Sequence, residues 1–311
     1  MPKNISLSDI KKYKNKFLKN NKNTASRNAL IKNDLNTVSL NWENYSKINH
    51  HFSNLIKKEL PATDQKSSGR CWGFAGLNLM RLKVVENLDL PNFEFSQNYF
   101  MFWDKLEKAN YFLENIIQTK DHAYDSRLIM HLVKAPVQDG GQWDMFVNLI
   151  NKYGAVPKDV MPETNHSSKS MSMNYILTHK LREFASILRK KRLKNLSSLK
   201  KEMMEVIFNL LAMFLGQPPD VINWSTRNKD NRYFVISDMT PKDFCKKYAD
   251  INIKDKVCLI HAPMSNKKFN TVYTVEYLGN VVEGQIIKYL NVDVQKLKKS
   301  AIQSIKNNEA V

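Results

Sequence analysis

The chain has 311 residues, of which 42% are hydrophobic and 10% aromatic, so it holds enough apolar side chains for a core and is not a disordered polypeptide. Lys and Arg outnumber Asp and Glu by 48 to 30, which gives a formal net charge of +18. The basic residues are scattered and form no single Arg-rich stripe, which favours an ordinary solvated surface. Binding to nucleic acid or to an acidic surface stays open as the alternative.

The three cysteines, Cys71, Cys245 and Cys258, are widely spaced. This spacing predicts neither a disulfide scaffold nor a metal site, and free thiols suit a reducing compartment. The first 20 residues are rich in Lys and have no apolar h-region, and no apolar run has the length of a membrane span. We therefore expect a cytoplasmic protein without a membrane segment.

Composition and periodicity divide the chain into consecutive segments. They are a polar N-terminal arm at 1–60, a helical half at 61–170, a helical insertion at 171–250 and the start of a β-rich half at 251–311. The arm has apolar patches at 10–17 and 52–60, which predict one or two helices. No internal repeat is present.

Three helices are predicted within the helical half. From Cys71 onward, apolar residues recur at steps of three and four until Pro91 ends the pattern. Ser96 is placed to cap a second helix. The third covers 143–153 with the same spacing, and Gly154 follows it as a C-cap glycine.

Residues 172–215 are predicted to form a pair of packed helices, basic in the first half and apolar in the second. A calmodulin-target or membrane-surface helix is the alternative interpretation. Thr240 and Pro241 have the pattern of an N-cap followed by the first residue of another helix.

Strand periodicity begins late in the chain. The runs at 257–261, 272–278 and 285–290 are β-branched and aromatic, and the last two are expected to pair across a glycine-containing turn. A final helix is predicted over 294–305. Helices followed by strands indicate the α+β class.

Cys71 stands at the predicted start of a helix. A cysteine attacks as its thiolate, and the free N–H groups and positive dipole end of a helix N-terminus favour an anion. Residues 67–69 are expected to form a flexible approach, and Gly73 and Gly76 to admit backbone or substrate closely. A lone cysteine is more often a small buried hydrophobe, so position alone leaves its role open.

The surrounding motif resembles a known family. Gln65 stands six residues before Cys71 as in papain-like cysteine peptidases, and the whole string resembles the bleomycin hydrolase and aminopeptidase C branch. The matching segments are Gln65-Lys66-Ser67-Ser68-Gly69-Arg70-Cys71-Trp72, Phe93-Glu94-Phe95-Ser96-Gln97, Phe102-Trp103-Asp104-Lys105, Asp139-Gly140-Gly141-Gln142-Trp143-Asp144-Met145, Lys152-Tyr153-Gly154 and Tyr273-Thr274-Val275-Glu276-Tyr277-Leu278. The likeness runs from about Thr63 to the last residue, whereas 1–60 match loosely.

The resemblance implies a papain-like α+β fold with helical insertions. It implies that Cys71 forms a thioester acyl-enzyme and that Gln65 stabilises the oxyanion together with the Cys71 N–H. Gly140 and Gly141 would form one wall of the substrate cleft, with a plain loop before a helix as the alternative. The family further implies peptide substrates, the amide of bleomycin, a homohexamer, and no cofactor or metal.

The family also uses a downstream His and Asn to activate the thiol. None of the 7 histidines stands in that context, and His261 is expected to be structural. We therefore expect residues 1–311 to be a C-terminally truncated member that lacks much of the C-terminal β-rich half and hydrolyses peptide amides slowly. An inactive pseudoenzyme or assembly module, with some nucleic-acid affinity, is the alternative.

Overall fold

The computed structural model describes residues 4–56, 59–190 and 195–311. The chain divides into two compact units, Met1–Leu55 and Ile56–Val311. The helices of the first unit are α1 (Leu7–Leu18), α2 (Asn21–Leu30), α3 (Leu35–Ser39) and α4 (Trp42–Tyr45). Four helices among the described residues exceed the predicted one or two, because Ser6, Asn20, Asp34 and Asn41 each cap a short helix. Residues 57 and 58 of the second apolar patch lie outside the described residues.

The second unit begins with helices. They are α5 (Cys71–Asn87), α6 (Gln97–Gln118), α7 (Arg127–Lys134), α8 (Trp143–Tyr153), α9 (Asn165–Ser168), α10 (Met171–Leu188) and α11 (Leu196–Leu215). The three predicted helices are confirmed, and Ser96 Oγ accepts the Tyr99 N–H at 3.0 Å as the expected cap.

Helix α6 lies at the centre of this unit and contacts α5, α7, α8, α9, α10 and α11. Phe102, Leu113 and Ile116 on this helix are fully buried. Helices α10 and α11 pack on α6 and on each other, with Leu181 and Leu211 fully buried. The prediction of an ordinary packed helix pair within 172–215 is confirmed, and residues 191–194 of that range lie outside the described residues.

A hairpin follows that the periodicity did not predict. Strands β1 (Ile222–Arg227) and β2 (Tyr233–Met239) pair antiparallel, with Trp224 opposite Ile236. Trp224 packs edge-on against Phe93, 5.7 Å between ring centroids. The hairpin therefore covers an aromatic cluster that includes Phe93, which precedes α6 in the chain, and Phe244.

The chain continues through α12 (Pro241–Phe244), a π-helical turn (Cys245–Ala249), β3 (Cys258–Ile260), β4 (Thr271–Tyr273), β5 (Tyr289–Asn291) and α13 (Val294–Lys306). Thr240 caps α12 as predicted, and the final predicted helix is confirmed as α13. In the sheet, β5 lies between β3 and β4, parallel to the first and antiparallel to the second. Helices and sheet together give the predicted α+β class.

The predicted pairing of the last two strands is confirmed at Val272 and Leu290, but both strands are shorter than predicted. Residues 274–278 and 285–288 have no strand structure. The connection packs on helices instead, since Asn280 Nδ2 donates to the Met145 carbonyl at 3.1 Å. Tertiary contact overrides the alternating pattern here.

Gly154 follows the last residue of α8 and packs against Pro241, the first residue of α12. Its φ is +71°, and a Cβ added there would lie 2.4 Å from the backbone of Pro241. Only glycine satisfies both the backbone conformation and this close approach. Among the helices of the described ranges, none is long and apolar enough to cross a membrane.

Candidate active site

Cys71 is the first residue of α5, as predicted, and its side chain is exposed. The first intrahelical bond runs from the Phe74 N–H to the Arg70 carbonyl at 3.0 Å, so the N–H groups at the start of α5 have no intrahelical acceptor. Those donors and the helix dipole favour negative charge at this end. The other two thiols lie elsewhere, Cys245 buried and Cys258 half-buried, and all three are free.

The approach to Cys71 is fixed, so the expected flexible approach is wrong. The Ser67 N–H donates to the Ser168 carbonyl at 2.9 Å. Ser68 is buried, and its Oγ donates to the Gln65 carbonyl at 2.7 Å. The Gly69 N–H donates to Asp139 Oδ2 at 2.9 Å. Ser67 and Gly69 therefore bond to distant parts of the fold, and Ser68 bonds within the loop itself.

Arg70 anchors the residue before the thiol. It is 3% exposed, and its guanidinium donates to both carboxylate oxygens of Glu163, at 3.0 and 2.9 Å. Its Nε also donates to Ser68 Oγ at 2.8 Å. Planar two-point pairing of this kind fixes orientation as well as distance. The start of α5 is therefore held from inside the protein.

Gln65 belongs to the same loop. Its carbonyl is linked through Ser68 Oγ to Arg70, which places the Gln65 backbone and the start of α5 in one hydrogen-bonded turn. The side chain is half-buried, and its Oε1 is buried without a hydrogen-bond partner among the described residues. Buried polar atoms are seldom left unpaired, so this oxygen is one of the few buried acceptors of the loop without a protein donor among the described residues.

Trp72 connects the thiol helix to the glycine pair. Its Nε1–H donates to the Asp139 carbonyl at 2.7 Å. A Cβ added to Gly141 would lie 2.5 Å from the indole, whereas one added to Gly140 would meet nothing within 4 Å. Packing against Trp72 therefore requires glycine at 141, and Gly140 faces open space. Trp72, Gly141 and Trp143 line a groove of about 480 Å³.

Gly73 and Gly76 have a different role from the one expected. A Cβ on Gly73 would lie 2.4 Å from the ring of Phe100, and one on Gly76 would lie 2.5 Å from the ring of Phe146. These glycines admit aromatic side chains of α6 and α8. They seat α5 closely on its neighbours.

A difference between the glycines gives a direct test. We expect Gly141→Ala to lower the free energy of unfolding by about 1–2 kcal/mol, because the added methyl overlaps the Trp72 indole. Gly140→Ala is the matched control and should change stability by less than about 0.5 kcal/mol, because its methyl points into open space. Urea unfolding followed by tryptophan fluorescence measures both. Equal losses would contradict the packing described for Trp72.

Sequence reasoning missed a buried charge cluster behind the glycines. Lys105 is fully buried and pairs with Asp139 at 2.5 Å, and Lys108 pairs with Asp104 at 2.7 Å. Burial lowers the pKa of Lys105 to about 8, although Asp139 opposes that shift. Lys108 also donates to the Gly140 carbonyl at 2.7 Å. Charged residues inside the apolar face of α6 were the available signal for this cluster.

His261 lies away from these groups in the sequence and has local partners. Its Nδ1 is 2.9 Å from the Val292 carbonyl oxygen, and its ring stacks on Phe269 with centroids 5.6 Å apart. Both contacts agree with a structural role. Within the described ranges, no group of three or more His, Cys, Asp or Glu could hold a metal ion.

Comparison with known proteins matches residues 4–311 to the Peptidase C1-like family. Aminopeptidase C of Listeria innocua is 45% identical over 313 residues, which cover 100% of this chain and 71% of that protein. Bleomycin hydrolase of Mus musculus is 40% identical over 300 residues, which cover 92% of this chain and 65% of that protein. The crystal structure of PepW from Lactobacillus rhamnosis HN001 matches with a TM-score of 0.95 and 39% identity, covering 99% of this chain and 70% of that one. The predicted fold type is confirmed by this match.

Proposed function

Because the chain belongs to the Peptidase C1-like family, whose members include the cysteine peptidases aminopeptidase C and bleomycin hydrolase, we propose that Cys71 is the nucleophile of an aminopeptidase-type peptidase. The observation that carries the proposal is an exposed thiol at the first residue of α5, followed directly by Trp72, which lines a groove together with Gly141. The thiolate would attack a peptide carbonyl and form the S–C bond of a thioester, while the C–N bond breaks and the departing amine takes a proton from water.

Gln65 would stabilise the oxyanion of that step together with the Cys71 N–H. Its side-chain amide lies on the loop that ends at Cys71, and its buried Oε1 is unpartnered among the described residues. The donor to the oxyanion would be the Nε2–H group of that amide, because Oε1 is itself an acceptor. Preorganised donors of this kind are worth on the order of 100-fold or more in rate.

Gly140 would form part of the substrate-binding wall beside the groove. It is exposed, and a methyl group added there would meet no protein atom within 4 Å. Packing therefore gives no reason for glycine at 140, whereas an extended peptide backbone passing close to it would. Gly141 would contribute indirectly, by seating Trp72.

The leaving group decides which substrate tests the proposal best. An amide needs a proton on its departing nitrogen, which a histidine supplies in this family, and we assign no such histidine within 1–311. A nitrophenyl ester needs none, because nitrophenolate leaves as an anion. We therefore expect this stretch of chain to acylate with activated esters and to hydrolyse peptide amides slowly.

The test is a pre-steady-state burst with an amino-acid 4-nitrophenyl ester. We expect release of about one equivalent of nitrophenolate per chain, with the aminoacyl group recovered on Cys71 by mass spectrometry. Cys71→Ala should abolish the burst, and Gln65→Ala should slow it by about 100-fold. Cys258→Ala is the control that keeps it. A wild-type chain without a burst would favour an inert binding or assembly module.

The homohexamer implied by the family resemblance stays a prediction. Sedimentation equilibrium of the purified chain measures it directly. Peptides are the proposed substrates. The proposed location is the cytosol, because three free thiols suit a reducing environment.

A further inference from the structure

We propose that Asp139 is a positioning residue that holds both sides of the cleft around Cys71, an inference that rests on the role proposed for that thiol. Its side chain is 12% exposed. The carboxylate accepts four hydrogen bonds, from the Gly69 N–H at 2.9 Å, Ser170 Oγ at 2.6 Å, Lys105 Nζ at 2.5 Å and Asn174 Nδ2 at 2.6 Å. One carboxylate thus joins the approach loop, α6 and the start of α10.

The backbone of Asp139 adds a fifth contact on the other side of the thiol. Its carbonyl accepts the Trp72 Nε1–H at 2.7 Å. Gly69 and Trp72 flank the Arg70–Cys71 pair, so a single residue restrains the chain immediately before and after the candidate nucleophile. Asp139 also directly precedes the glycine pair of the groove.

The charge state of Asp139 supports this arrangement. Burial raises the pKa of the carboxyl, but Lys105, Ser170 and the Gly69 N–H outweigh it, so the net pKa lies well below its usual value. The group is therefore an anion at neutral pH and accepts all four hydrogen bonds. The Lys105 side chain has no exposed surface, so water does not reach its ammonium group or screen its ion pair with Asp139.

Removal of this carboxylate would leave the Gly69 N–H without its acceptor and would leave Lys105 Nζ with the Val137 carbonyl but without its counter-ion. The loop that leads to Cys71 would lose its link to α6 and α10 while α5 itself remained intact. Displacement of a reacting group by about 1 Å costs on the order of 100-fold in rate. The effect should therefore appear in acylation more strongly than in global stability.

The test compares Asp139→Ala and Asp139→Asn with Glu107→Gln. Glu107 is a matched control, since it is a buried carboxylate on α6 that pairs with Lys152 at 2.6 Å, and its partners Lys152 and Tyr153 both lie on α8. Hydrogen exchange of the peptide covering 65–72 reports the loop, and the ester burst reports acylation. Both are measured well below each variant's melting temperature.

We expect Asp139→Ala to raise exchange in 65–72 and to slow the burst at saturating ester by about 10-fold or more. Asp139→Asn keeps one carbonyl acceptor, so its burst rate should lie between those of Asp139→Ala and the wild type. The burst rate of Glu107→Gln should stay within about twofold of the wild type, even where this variant loses as much melting temperature as Asp139→Ala or more. An unchanged burst in Asp139→Ala, or equal slowing in Glu107→Gln, overturns the inference. If the wild type itself shows no burst, the proposed function is wrong. The positioning role is then tested by exchange alone, and unchanged exchange in Asp139→Ala overturns it.

Discussion

Iodoacetamide is expected to modify Cys71 on the order of 100-fold or more faster than Cys245 in the folded chain at neutral pH. Cys71 is exposed at a helix N-terminus, whereas Cys245 is 7% exposed and burial raises its pKa to about 12 from 9.0. That rise alone lowers the thiolate fraction of Cys245 by about 1000-fold. Cys258 should be slower than Cys71 as well, because it is half-buried and burial raises its pKa.

Peptide mapping by mass spectrometry over a time course gives the three rate constants in one experiment. The same chain unfolded in urea is the control, since all three thiols should then react at similar rates. Folded-state rates for Cys71 and Cys258 that agree within about twofold would contradict the picture of an accessible, helix-terminal nucleophile.

Glu163→Ala is expected to lower the free energy of unfolding by about 3 kcal/mol. The substitution removes both carboxylate acceptors of Arg70, which is 3% exposed. The guanidinium then stays charged inside the protein with the Ser68 hydroxyl and the Phe74 ring beside it but no carboxylate. An unpaired buried charge costs far more than a surface pair contributes. Urea unfolding gives the value.

Lys229→Ala provides the matched comparison. Lys229 also pairs with a carboxylate, that of Asp89 at 3.0 Å, but both side chains are about half exposed, 45% and 53%. Its loss should cost less than about 1 kcal/mol. If Glu163→Ala is no more damaging than this surface variant, Arg70 is not the buried anchor of the loop.

Local signals predicted the helical half well. Ser96 and Thr240 are N-caps in the structure, and Gly154 ends α8, because capping depends on a few neighbouring residues. The strands were predicted less well. Residues 274–278 have the alternation of a strand, yet Tyr277 adopts a φ of 57° and the segment forms no ladder.

The β1–β2 hairpin was missed for the opposite reason. Ile222 and Trp224 alternate with polar residues as a strand does, but the run is short and the neighbouring apolar helix dominates its surroundings. Its stability comes from aromatic contacts with Phe93 and Phe244, which lie elsewhere in the sequence. Only the folded chain brings these rings together.

The candidate site divides in the same way. A contiguous motif identified Cys71 and Gln65, whose roles stay predictions. The residues that hold them, Glu163, Ser168 and Asp139, come from distant parts of the chain, and although Asp139 opens one of the family segments, no local pattern shows that it contacts Gly69. Expectations that relied on glycine flexibility failed because the surrounding protein fills the space and occupies the donors.

The contact of Gly154 with Pro241 has a consequence for how the chain folds. It closes a long loop that contains α9, α10, α11 and the β1–β2 hairpin, so its entropic cost falls on a late step of folding. Helix α12 contacts α8 and the π-helical turn contacts α5, so the surface that α5 and α8 present to them is covered only after residues 241–249 have been made. Synthesis halted upstream of Thr240 would release a chain with that surface open to chaperones and to self-association.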